Sequence, residues 1–137
     1  MTVIPFEPAL ESAASGSWKR RRIAQQVREY VDVHFRSGIS LRDVARALGY
    51  TPAHLTYLFR CATGTPITAF IIERRLREAC VLLESSDATV AHVAESVGFR
   101  DVAYFSRQFQ RFTGMTPGRW RHLERENALA QSRCPAC

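Results

Sequence analysis

The chain has 137 residues, enough for one compact domain or two very small ones and too few for a catalytic barrel or a doubly wound sheet. Hydrophobic residues make up 46% and charged residues 23% of it, the composition of an ordinary globular domain. Lys plus Arg number 19 against 13 Asp plus Glu, for a formal net charge of +6, and Lys19 is the only lysine. A basic domain of this size points first to a polyanion, either nucleic acid or an anionic surface.

Residues 1–17 are rich in Ala, Ser, Pro and Gly and read as a flexible arm. They hold Glu7 and Glu11 and no basic residue, which is not the pattern of a secretory signal. No apolar run approaches the roughly 20 residues that span a bilayer, so no membrane partner is expected. The ordered region, 18–126, opens on the basic cluster Lys19-Arg20-Arg21-Arg22. Ile23, Val27, Tyr30, Val31, His34 and Phe35 then recur at helical spacing, as one buried stripe requires. Gly38 lets the chain turn, and Ser40 with Asp43 three residues on starts the next helix. Its short stripe is Leu41, Val44, Ala45 and Leu48, and Gly49 ends it.

Thr51-Pro52, Thr65-Pro66 and Thr116-Pro117 each read as a capping hydroxyl followed by proline at the first helical position. Proline is tolerated there because its missing N–H had no helical partner. No segment shows strand alternation, so the fold class is all-α with about seven helices. Residues 127–137 lack apolar periodicity and read as a mobile tail. Cys61 and Cys80 fall within apolar helical patterns and read as small core residues. Cys134 and Cys137 form a CxxC without the second ligand pair that a zinc site needs. The cysteine usage suits a reducing, cytoplasmic compartment, with no metal and no cofactor expected.

The chain repeats at an offset of about 49 residues, from Ser40 through Tyr50 and again from Thr89 through Phe99. A cap, an apolar residue, Val-Ala, an apolar residue, Gly and an aromatic match in order. After one extra residue, Leu55, Phe59, Thr63, Gly64 and Phe70 answer to Phe105, Phe109, Thr113, Gly114 and Trp120. Each copy is a short helix, a glycine turn and a longer helix, about 40–63 and about 89–113, joined by a linker helix over about 66–84. This is the pattern of a helix-turn-helix, whose second helix can enter a major groove. Two copies in one short basic chain are a far stronger signal than one.

The second copy carries Val93-Ala94, Val97-Gly98-Phe99, Tyr104 through Arg111 and Gly114-Met115-Thr116-Pro117; Arg75-Leu76-Arg77-Glu78-Ala79 precedes it. On these motifs the chain resembles the DNA-binding domain of the AraC/XylS family of bacterial transcription regulators, over roughly residues 22–124. The short arm points to a member that lacks a sensing domain. The resemblance implies a double-stranded DNA partner, two recognition helices in successive major grooves, regulation in the sense of activation, and contact with RNA polymerase, with the chain acting as a monomer or weak dimer.

In the first recognition helix, Leu55, Leu58 and Phe59 form the buried face, which leaves Ala53, His54, Thr56, Tyr57 and Arg60 outward. Family matching assigns base contacts to Ala53, Thr56 and Tyr57, and His54 and Arg60 fall to the DNA backbone. In the second, Phe105, Phe109 and Phe112 are core. Val102, Ala103, Ser106 and Arg107 face the bases, with the Arg107 fork suited to guanine O6 and N7. Gln110 and Arg111, one turn on, and Arg42, Arg119 and Arg121 are candidate backbone contacts.

The motifs HExxH, GxSxG, GxGxxG and GxxxxGK are all absent, and the four histidines lack ligand spacing, so no enzyme is expected. The alternative is a helical protein-interaction module, or a thiol- or zinc-sensing one built on Cys134 and Cys137, without sequence-specific DNA reading.

Overall fold

The computed structural model describes residues 8–132, in which helix follows helix and no strand occurs. In chain order these are α1 (Pro8–His34), a short 3-10 turn (Phe35–Ser37), α2 (Leu41–Leu48), α3 (Pro52–Thr63), α4 (Ile67–Ser85), α5 (Val90–Ser96), α6 (Val102–Thr113) and α7 (Pro117–Ser132). No single helix among the described residues is long and apolar enough to cross a membrane.

Two ends differ from the sequence reading. The stretch expected as an arm is helical from Pro8. Ala9, Leu10, Glu11, Ala13 and Ala14 are strong helix formers, and a composition rich in small residues is not in itself a coil signal. The expected tail is likewise helical through Ser132, within α7. Cys134 and Cys137 lie outside the described residues.

The starts of the helices follow local chemistry. The Asp43 carboxylate accepts from the Ser40 backbone N–H at 2.8 Å and from its hydroxyl at 3.0 Å. These bonds, the backbone one first, hold its pKa below the ordinary carboxylate value. Thr51 and Thr116 cap α3 and α7 as expected, each hydroxyl accepting a backbone N–H three residues on. Thr65 does not cap: α4 begins at Ile67, and the Pro66 carbonyl accepts its first helical bond, from Phe70 at 3.2 Å. The Thr65 N–H is instead taken by the Thr63 hydroxyl, which also donates to Phe59. Thr113 does the same between Phe109 and Met115, so the repeat extends to its hydrogen bonds.

The chain divides into two compact units. The first takes residues up to Val33 with Ile39–Phe70. Ile23, Ala24, Val27 and Val31 of α1 are buried in it, with Val44 and Ala45 of α2, Leu55 and Phe59 of α3, and Ile67. The second takes His34–Gly38 with the chain from Ile71 onward. Its core joins Leu76, Ala79 and Leu83 of α4 to Val93, Ala94, Val97, Phe99, Phe105 and Phe109. Each unit sets an aromatic of its longer hairpin helix, α3 or α6, against one in the next helix of the chain: Phe59 lies 5.6 Å from Phe70, and Phe109 lies 6.0 Å from Trp120.

Two side chains depart from the sequence reading. Phe112, expected in the core, is 40% exposed at the end of α6, beyond the reach of the core, with the Arg77 guanidinium 5.8 Å from its ring. Cys61 is exposed, one position past Arg60 on the outer side of α3, whereas Cys80, half-buried, packs against the core of the second unit.

The glycine turns of the two copies share a left-handed backbone but not their surroundings. Gly49 (φ 82°) has open space where a Cβ would stand. At Gly98 (φ 104°) a Cβ would come within 2.6 Å of the Phe35 carbonyl oxygen and 2.8 Å of Arg75 Nε. Those two atoms are themselves bonded, Arg75 Nε donating to the Phe35 oxygen at 2.9 Å. Burial of this guanidinium lowers its pKa from the ordinary arginine value. Gly49→Ala should therefore cost about 1–2 kcal/mol, the strain of a left-handed alanine. Gly98→Ala should cost clearly more, because it must also displace the Phe35 carbonyl or break the Arg75 bond. Urea unfolding of the two variants measures the difference, and equal losses would contradict this account of the turn.

Candidate nucleic-acid interface

A helix of 12 residues, such as α3 or α6, is marginal on its own in water. It is held here by one narrow seam. Leu55 and Phe59 in α3, and Phe105 and Phe109 in α6, have no exposed surface. Position by position, residues 51–60 and 101–110 show the same sequence of exposed, half-buried and buried sites. The remaining face of each helix is therefore presented outward in the same way, while its residues differ.

On α3 the outward residues are Ala53, His54, Tyr57, Arg60 and Cys61, with Tyr57 64% exposed. Thr56 is half-buried and its hydroxyl oxygen is enclosed without a hydrogen-bond partner. One step from the Leu55 seam, the side chain has turned its hydroxyl in, so of the base contacts assigned to it this rotamer favours an apolar one. On α6 Val102, Ala103, Tyr104, Arg107, Gln110 and Arg111 are exposed and Ser106 is half-buried. The Arg107 guanidinium stands 5.9 Å over the Tyr104 ring, a contact that orients the fork without occupying its donors.

Arg42 and Arg119 are exposed near the starts of α2 and α7. Arg121, assigned to the DNA backbone by the sequence reading, is half-buried and committed within its unit. Its Nε donates to the Leu83 carbonyl at 2.9 Å and a terminal nitrogen donates to that of Ala88. Arg125 donates to the Ser86 carbonyl at 2.7 Å and pairs with Asp87 at 3.0 Å. The last turn of a helix leaves carbonyls without helical partners; Arg121 satisfies one of them in α4, that of Leu83, and the two arginines take the Ser86 and Ala88 carbonyls of the loop that follows. Tyr104 was missed as an outward residue, although the offset that pairs Leu55 with Phe105 pairs it with His54. Arg100, exposed in the turn before α6, was missed because it lies outside the helical pattern.

A family model for a helix-turn-helix domain matches residues 44–122. The chain belongs to the AraC-type helix-turn-helix family. It is 31% identical over 105 residues to the putative HTH-type transcriptional regulator YkgA of Escherichia coli K12, a match covering 77% of this chain and 44% of that protein. The DNA-binding domain of the global transcriptional factor AdpA, solved in complex with a target DNA, superposes with a TM-score of 0.70 at 27% identity, over 77% of this chain and 94% of that one. The C-terminal domain of AraT, a response regulator from Geobacillus stearothermophilus, gives a TM-score of 0.70 at 28% identity, over 74% of this chain and 84% of that one. The AraC-type chain thus spans less than half the length of the curated relative YkgA.

The placement of the two cysteines makes a direct test of these surfaces. Burial first, then the charges of Glu84 and Glu124, push the Cys80 thiol up to about 11. At pH 8 only about one Cys80 in a thousand is thiolate, the reactive form. Iodoacetamide at that pH should label exposed Cys61 and spare Cys80, as read by peptide mass mapping, and faster labelling of Cys80 would contradict the packing of α4.

Proposed function

We propose that the chain regulates transcription by reading duplex DNA in a sequence-specific manner, with α3 and α6 each entering a major groove. The observation that carries this reading is the matched pair of outward faces, alike in exposure and different in residues. Two different readers in one chain imply an asymmetric site and need no second copy, so the chain acts as a monomer. On α3, Ala53 and Tyr57 suit thymine methyls or single contacts, whereas Arg107 on α6 suits a bidentate guanine contact. Val102, Ala103 and Ser106 complete the second reading face. His54, Arg60, Gln110, Arg111, Arg42 and Arg119 fall to phosphates, which fix register rather than sequence. Bound at a promoter, the chain acts on RNA polymerase, and the family resemblance favours activation.

The roles of Arg107 and Arg60 separate experimentally. Arg107→Ala should relax preference at one or two base pairs, at a cost of roughly 1–3 kcal/mol. Arg60→Ala should weaken binding about equally across sequences and lower the salt slope by about one unit. Both side chains are exposed, so both variants should stay folded. A site obtained by selection from random duplexes, titrated with each variant together with its single-base variants at several salt concentrations, gives the measurement. Folded variants that bind as wild type would contradict the proposal.

A further inference from the structure

The basic cluster near the middle of α1 is not accounted for by either recognition helix. Lys19, Arg20, Arg21 and Arg22 are all exposed, and no ion pair ties any of them among the described residues. Four consecutive helical residues cannot share a face, because each step turns the helix by about 100°. Within the first unit, an open groove of about 560 Å³ resolves the cluster into two pairs. Its α1 wall is Trp18, Lys19, Arg22, Ile23 and Gln26, and its opposite wall is Tyr50, His54 and Leu58. Lys19 and Arg22 thus stand beside His54, which is on the exposed side of α3. Arg20 and Arg21 project about 130° to either side of that direction.

The Arg22 guanidinium lies 5.2 Å over the ring of Trp18. A stacked guanidinium keeps its donors free and loses less conformational freedom on binding than a freely rotating one. A pair of cations beside the proposed DNA-reading helix, with no carboxylate paired to them among the described residues, matches a phosphate backbone in charge and position.

We propose that Lys19 and Arg22 bind the DNA backbone flanking the base pairs read by α3, lengthening the site beyond what the two recognition helices cover. The proposal rests on the DNA-reading function above and adds a second contact region to it. It commits to duplex DNA, rather than a protein, as what lies against this face.

The test compares two duplexes, one limited to the selected core site and one carrying about ten arbitrary base pairs on each side. Wild-type protein should bind the flanked duplex more tightly, with a salt slope steeper by about 2, the value for two added phosphate contacts. Lys19→Gln with Arg22→Gln should abolish that preference, an effect on the order of tenfold at low salt, while leaving core-site affinity unchanged. Arg20→Gln with Arg21→Gln removes the same charge from the other faces and should keep the preference. The proposal is overturned if wild-type protein gains nothing from the flanks, if the Lys19/Arg22 variant keeps the gain, or if both double variants lose it equally, which would make it a general field effect. Failure of wild-type protein to prefer the core site over random duplex would instead strike the DNA-reading function itself.

Discussion

A helix that reads DNA must leave most of its circumference free, so its anchorage is confined to a seam about two side chains wide. In this chain the seam is Leu55 and Phe59 on α3 and Phe105 and Phe109 on α6, the two proposed readers, all fully buried. Burying such a side chain stabilises by roughly 1.5–3 kcal/mol, against the cost of fixing a helix that is marginal alone. The remaining features of each hairpin support that seam. Ala45 and Ala94, with 1% or less of their surface exposed, keep the preceding helix close. Thr63 and Thr113 tie the last turns of the readers to the loops that lead into α4 and α7. The outward residues are then free to differ on one repeated scaffold, as the proposed two-helix reading requires.

The copies diverge where the seam meets the rest of its unit. The first turn, at Gly49, is open, whereas the turn at Gly98 is packed against the Phe35 carbonyl and the Arg75 guanidinium. Arg74 lies over the Phe35 ring at 4.3 Å and pairs with Glu78, which also receives Arg36. At the far end of α4, Arg121 and Arg125 take up the carbonyls of Leu83, Ser86 and Ala88. Arginine therefore does two kinds of work in this basic protein. Some guanidiniums are internal fasteners, and others, such as Arg60, Arg107 and Arg22, stand exposed. Net charge counts both alike, and only the second kind is available to a polyanion.

Much of the fold is legible in the sequence because its cues are local and periodic. Three-to-four spacing, the Ser40–Asp43 start and the Thr51 and Thr116 caps mark helices with little help from tertiary contacts. Comparing one half of the chain with the other also locates the two matching outward faces of α3 and α6. Legibility fails where a role depends on a distant partner or on one rotamer. Nothing near Arg121 in sequence indicates that Leu83 and Ala88 will claim it. Thr56 has an outward spacing, yet its hydroxyl turns in. Phe112 keeps the core spacing but runs past the end of the core. The start of the chain misleads for another reason: a composition rich in Ala, Ser, Pro and Gly resembles coil, although alanine is the best helix former.

The central claim is that both hairpins of one chain engage DNA at once. Hydroxyl-radical footprinting of the complex on a selected site, with stoichiometry fixed by sedimentation, tests it most directly. A 1:1 complex that protects two backbone windows on one face of the duplex, about one helical turn apart, is the predicted result. A single protected window, or two windows seen only in a 2:1 assembly on a palindrome, would contradict it.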